Sequence, residues 1–176
     1  LGWLAAHIMI EDRAITGKIP NRWKKDNAGK NIMALEGALT DFVQKIWGLP
    51  AEIVSEHYNG EDFGNSMIVR LIYRSKEKKK IQIFLVLEES LILHTVSSML
   101  DMPLTKIDNL VANAVRELSQ QIADQIILHF RLSLQYQLES SHFMTPEQFQ
   151  TEFSAEYFSY SLLFNTGTGY FAFCIK

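Results

Sequence analysis

A single cysteine, Cys174, rules out a disulfide within the chain, and so sparse a use of cysteine fits a reducing cytoplasm. Proline is scarce too, with four in 176 residues, so there is no proline-rich spacer. No apolar run reaches the roughly 18 residues that a membrane-spanning helix needs. The apolar opening LGWLAAHIMI stops at Glu11-Asp12 and has no basic flank ahead of it, unlike a secretory signal. Basic residues do not dominate: 17 Lys and Arg face 20 Asp and Glu, for a formal charge of -3, so no global field attracts nucleic acid. The five histidines show no metal-ligand spacing, and neither HExxH nor a cysteine pair occurs. There is no Walker loop and no GxGxxG; the glycines of NTGTGY lie between two strand patterns and read as a turn. Ser140-Ser141-His142 has no nucleophile elbow around it. These absences leave an expectation of no metal, no cofactor, no nucleic acid and no membrane.

What is present is an ordinary folded composition, 47% hydrophobic and 21% charged, in a length of about one domain. Residues 1–30 are interrupted by Gly17, Pro20, Asn21, Asn27 and Gly29 and read as an extension or linker ahead of a domain at 31–176. Ile32, Leu35, Leu39, Phe42, Val43 and Ile46 recur at helical spacing, and Gly48 and Pro50 end that helix. MIVRLIYR and IQIFLVL are strand patterns joined by the polar turn SKEKKK, with a weaker strand expected around Glu52 to Tyr58. The nearly unbroken apolar run of IQIFLVL marks a central strand covered on both faces.

A helix over Ser90 to Asp101 is expected to bury Leu91, Ile92, Val96, Met99 and Leu100. Thr105 and Asp108 resemble a capping box for a longer helix reaching about Phe130, with a core stripe of Ile107, Val111, Ala114, Leu118 and Ile122. LSLQYQLE alternates, which predicts Leu132, Leu134, Tyr136 and Leu138 facing inward. Tyr157 to Phe164 and Tyr170 to Ile175 form a hairpin around NTGTG. The fold class is therefore α+β: a largely antiparallel sheet with helices packed on it.

The long helix carries a second stripe. Asn113, Glu117, Gln120 and Asp124 line up on its polar side, with Glu117 and Gln120 one turn apart. A carboxylate there can pair with a partner's lysine, and an amide can both donate to and accept from a water. Those roles suit hydrolysis of a phosphoryl group already activated by a partner, where the helper only positions the water. Gln121 falls on a different azimuth and is not counted in the pair. Taken alone, Glu-x-x-Gln also fits a solvated helix face.

From Asn31 onward the chain resembles the CheX/CheC family of chemotaxis phosphatases, in its single-site CheX branch. The segments that carry the resemblance are ALEGALTDFVQKIWGLP, IFLVLEESLILHTVSSMLDMP, KIDNLVANAVRELSQQIADQI, the strand leading to Thr145-Pro146, and YSLLFNTGTGYFAFCIK. The family writes its Glu-x-x-Asn motif where this chain has Glu117 and Gln120. The resemblance implies that Glu117 engages a lysine of a phosphorylated receiver domain and that Gln120 orients the attacking water, with Asn113 and Asp124 in the docking face. Gln is one methylene longer than Asn, so its amide reaches from a different depth. In the first helix Glu36-Gly-Ala-Leu39 offers a carboxylate and no amide, as in a single-site member. The implied protein is a cytoplasmic homodimer acting on the aspartyl phosphate of a response regulator, needing no cofactor because Mg2+ belongs to the receiver. Two rival readings stay open: a non-catalytic receiver-binding or dimerising module with the same fold, and an unrelated α+β ligand-binding domain. The aromatic strands Tyr157 to Phe173 are the expected apolar surface for dimerisation.

Overall fold

The computed structural model describes residues 26–61, 63–130, 132–155 and 158–176. Among them run α1 (Asp26–Trp47), β1 (Glu52–Ser55), β2 (Ser66–Ser75), β3 (Lys80–Glu88), α2 (Glu89–Leu100), α3 (Asn109–His129), β4 (Tyr136–Met144), α4 (Pro146–Ala155), β5 (Tyr160–Asn165) and β6 (Tyr170–Ile175). The strands form one sheet in the order β1-β5-β6-β3-β2-β4, with every neighbouring pair antiparallel. This is the expected α+β class.

Strand β3 shows why the sheet is covered twice. Successive side chains point to opposite faces, so an unbroken apolar strand needs a hydrophobic layer on each side. Ile81, Ile83, Leu85 and Leu87 enter the larger core, while Phe84 and Val86 enter a smaller one. The larger core is closed by Leu35, Leu39 and Val43 of α1, Leu91 and Val96 of α2, and Val111, Leu118 and Ile122 of α3. Trp47, at the end of α1, meets the Phe171 ring edge-on at 5.7 Å. The smaller core lies under α4, where Phe149 packs 4.6 Å from Phe153, and Phe153 stacks on Phe158 at 4.2 Å. On that same side Arg70 donates to Gln82 and pairs with Glu152 at 3.5 Å, and Lys176 holds the other Glu152 oxygen at 2.9 Å.

Several boundaries differ from the sequence expectation for identifiable reasons. Helix α1 begins at Asp26, ahead of the first periodic apolar residue, and its backbone passes through Asn27 and Gly29. Residues 1–25, most of the expected extension, lie outside the described residues. Helix α3 is capped by Asp108, whose Oδ1 accepts from the Val111 amide at 3.0 Å, and not by Thr105. Its buried stripe includes Val115, Ser119, Ala123 and Ile127, while Ala114 and Ile107 are only half-buried. Helix α2 ends at Asp101 in the left-handed region (φ 50°), and its last turn leaves Met99 and Leu100 exposed.

Leu134 is 93% exposed, because Gln135 and Tyr136 both return amides to the Leu132 carbonyl, so a turn replaces the strand expected there. The strand begins only at Tyr136 and continues to Met144. The expected start of β5 at Tyr157 lies outside the described residues. Helix α4 was not expected. Thr145-Pro146-Glu147-Gln148 encodes it: the Gln148 amide donates to Thr145 Oγ1 (3.2 Å), the Thr145 amide donates to Gln148 Oε1 (2.9 Å), and proline takes the first helical position.

The proposed dimer surface also needs correction. Tyr160, Leu162, Phe164, Phe171 and Phe173 are all buried in the larger core. Strands β5 and β6 lie inside the sheet, and of their aromatic residues only Tyr170 is exposed.

Candidate functional site on helix α3

Helix α3 crosses the sheet on the β2 and β4 side, and three contacts fix it there. Asp108 caps its start. One turn before Gln120, the Arg116 guanidinium lies over the Phe143 ring of β4 at 5.0 Å. Near its end, the hydroxyl of buried Tyr73 on β2 donates to Asp124 Oδ1 at 2.6 Å. Burial, then the hydrogen bond to Asp124 and its charge, pushes the Tyr73 phenol well above its ordinary range. It therefore stays a neutral donor wherever the protein is folded near neutrality.

The four residues of the polar stripe are brought together on one side of α3, in two different settings. Asn113, Glu117 and Asp124 are exposed. Among the described residues no cation pairs with Glu117, so its carboxylate is open to a partner. Gln120 is half-buried, and its Nε2 makes a long contact (3.5 Å) to Asp124 Oδ2. Tyr73, Asp124 and Gln120 thus form a chain from the core to the edge of the stripe.

Two residues were missed in the sequence. Arg116 is the one lysine or arginine within α3, and its Nε is buried without a hydrogen-bond partner. Its isolation as a cation in NLVANAVRELSQQIADQIILH was the available signal. Tyr73 could not have been found: 51 positions separate it from Asp124, and only the fold joins them.

Elsewhere the chemistry is sparse. Leu39, at the amide position of Glu36-Gly-Ala-Leu39, is buried in the core, so α1 carries no equivalent pair. A groove of about 430 Å³ separates α1 from α3, with Asp41, Lys45, Gln125 and His129 on its walls. Among the described residues no group of three or more His, Cys, Asp or Glu could hold a metal ion. No helix among them is long and apolar enough to cross a membrane.

No protein-family model matches the chain, and no curated protein matches it in sequence. Solved structures do. A chemotaxis protein CheX from Vibrio vulnificus superposes with a TM-score of 0.58 at 10% identity, covering 81% of this chain and 97% of that one. The chain has the CheX/CheC fold. A CheX from Borrelia burgdorferi, solved in complex with CheY, BeF3 and Mg2+, matches at a TM-score of 0.56 and 11% identity over 82% of this chain and 95% of its own. The middle domain of FliM from Vibrio alginolyticus shares the fold more distantly, at a TM-score of 0.51 and 9% identity over 84% and 91% of the two chains. In this CheX-like arrangement α3, with its stripe, is the helix that the sequence resemblance singles out.

Proposed function

We propose that this protein binds a response-regulator receiver domain through the exposed stripe of α3 and accelerates hydrolysis of its aspartyl phosphate. The observation that carries the reading is Glu117: an exposed carboxylate without a cation among the described residues, flanked by Asn113 and Asp124, on a CheX-like fold. A lysine of the receiver would pair with it and set the register of docking.

The reaction needs little from this chain beyond position. A water oxygen attacks phosphorus, the bond from phosphorus to the aspartate oxygen breaks, and its electron pair stays on the carboxylate. Both water hydrogens leave on the inorganic phosphate. The receiver's Mg2+ offsets the charge on the phosphoryl oxygens, so the helper's share is to hold water and phosphorus in line. The sequence resemblance assigns that amide to Gln120. The work belongs in the cytoplasm, alongside receiver domains. A homodimer remains part of the proposal, with the open edge of β4 as the surface on which a second copy could pair.

One observation favours a second reading, a docking module without turnover: the Gln120 amide is half-buried and directed at Asp124. Phosphate release from a panel of phosphorylated receiver domains, with the intact chain and with Glu117→Ala, separates the two. Accelerated release that Glu117→Ala abolishes is the expected result. Binding without acceleration would leave the docking module, and neither binding nor acceleration would remove both readings.

A further inference from the structure

Resting on the reading of α3 as a phosphatase face, we infer that the amide which meets the partner's phosphoryl group is Gln121, and that Gln120 positions it from behind. The two glutamines are adjacent in sequence but flank Glu117 on opposite sides. At about 100° per residue, Gln120 lies about 60° to one side of Glu117 and Gln121 about 40° to the other.

Their settings differ accordingly. Gln120 is on the flank that leans toward the sheet, one turn after Arg116, which is pinned on Phe143. It is half-buried and its Nε2 contacts Asp124 Oδ2. Gln121 is exposed, and no described residue is bonded to its side chain.

Side-chain direction on a helix strengthens the assignment. A helical side chain leans toward the N-terminus and covers the surface of the preceding turn. Gln121, four residues and about 6 Å beyond Glu117 along the axis, therefore reaches back over the Glu117 turn. With three rotatable bonds its carboxamide can donate through Nε2 to a phosphoryl oxygen and accept a water hydrogen on Oε1.

Charge decides the same way. A phosphoryl group held at the Gln120 amide would meet the Asp124 carboxylate, which lies 3.5 Å from that nitrogen. Like charges at such separations repel strongly near a protein surface. Tyr73 of β2 holds the other Asp124 oxygen, and no bond joins Asp124 to the Gln121 amide, so that carboxylate bears less on an approach over Gln121. Gln120 then acts on the reaction only through Asp124, by keeping that carboxylate aside.

The hydrolysis step is the one written above, with Gln121 replacing Gln120 beside the attacking water. It is tested on the full chain with a phosphorylated receiver domain and Mg2+, comparing Gln121→Ala, Gln121→Glu and Gln120→Ala. Three readouts are needed: kcat for phosphate release, Kd for the beryllofluoride-loaded receiver, and Tm. Gln121→Ala should lower kcat by at least about tenfold, as expected when the water loses its positioning. Its Kd should change by less than about twofold and its Tm should hold, since an exposed side chain contributes little to stability. Gln121→Glu, equal in size, should lose the rate as well, because it replaces the donor with a negative oxygen.

Gln120→Ala should cost no more than about threefold in kcat, through a loosened Asp124. The inference is overturned if Gln120→Ala loses the larger share, or if Gln121→Ala keeps the rate within twofold while the intact chain accelerates release. If the intact chain accelerates nothing in the panel, the phosphatase reading itself falls and the inference falls with it.

Discussion

Replacing Tyr73 by phenylalanine tests how α3 is anchored. The ring is only 2% exposed and remains in place, so the change removes little except one hydroxyl and its 2.6 Å bond to Asp124 Oδ1. A hydrogen bond to a charged partner contributes about 1.5–3 kcal/mol, and a neutral one about 1. Asp124 is exposed, so water takes over its freed oxygen and the expected loss lies near the lower end, about 1–1.5 kcal/mol. At this chain length that corresponds to a fall in Tm of about 3–5 °C.

The alkaline side supplies a sharper signature of the same buried phenol. Tyr73 has its pKa raised, first by burial and then by Asp124. In the unfolded chain the phenol loses its proton near 10. Above that pH the unfolded state binds fewer protons than the folded state, so stability falls as pH rises, by about 1.4 kcal/mol per unit. Below pH 10 the contribution is complete. Tyr73→Phe lacks this loss, and every other tyrosine cancels in the comparison. Urea melts from pH 7 to 11 should show the variant less stable by about 1–1.5 kcal/mol at neutral pH, with the gap closing about one unit above 10. A gap that stays constant to pH 11, or no gap at pH 7, would refute the reasoning. A double-mutant cycle with Asp124→Asn should return a coupling of about 1 kcal/mol.

Cys174 is completely buried on β6, and burial pushes its thiol up to about 12. It should therefore resist a thiol reagent at pH 8 and react at full rate only in denaturant; fast labelling of the native chain would contradict the burial. Gly169 precedes β6 where a Cβ would lie 2.6 Å from Ser90 Oγ and 3.0 Å from both the backbone nitrogen and the Cβ of Leu91. The serine can turn away but the backbone of α2 cannot, so Gly169→Ala should cost about 1–3 kcal/mol in a urea melt. It should also disturb the bond from the Tyr170 amide to Glu88 Oε2, now 2.8 Å. A loss under about 0.5 kcal/mol would mean that the hairpin can shift off α2.

The features read correctly from sequence were those set by pattern and composition. The unbroken IQIFLVL run reads as a doubly covered strand, and β3 contributes alternate residues to both cores. Gly48 ends α1 with φ at 67°, a conformation that glycine adopts without strain. The misreadings share a cause: periodicity says which residues alternate, and it does not say whether the backbone there is extended. Leu132 to Tyr136 alternates perfectly in sequence, yet two backbone hydrogen bonds to one carbonyl curl it into a turn and leave Leu134 in water.

Helix α4 escaped notice because its periodicity is short, although its cap residues Thr145 and Gln148 were readable. In the candidate site the stripe was legible in AVRELSQQIADQ, but the different settings of Gln120 and its neighbour Gln121 were not. The contact of Gln120 with Asp124, and of Asp124 with Tyr73 on β2, exists only once the sheet is assembled.

That contact also bears on why a positioning surface would be built on this helix. A catalyst that contributes only alignment loses its advantage if its own groups must be ordered at the moment of docking, because each rotamer-rich side chain immobilised then costs about 0.5–1.5 kcal/mol. Helix α3 has settled much of that ordering on folding. Asp108 fixes its first turn, Arg116 lies on Phe143 midway, and Tyr73 holds Asp124 near its end. Val111, Val115, Leu118, Ile122 and Ile126 bury the opposite side along the whole length. The backbone beneath Asn113, Glu117 and Gln121 is therefore ordered on folding, and a partner would have only their side-chain bonds to order. A loop carrying the same three residues would have to order its backbone as well, at about 1–2 kcal/mol per residue. Loosening α3 at Asp124, as Tyr73→Phe does, should then slow phosphate release without substituting any residue of the stripe itself. Unchanged release in a variant shown to be destabilised would mean that docking itself orders the helix.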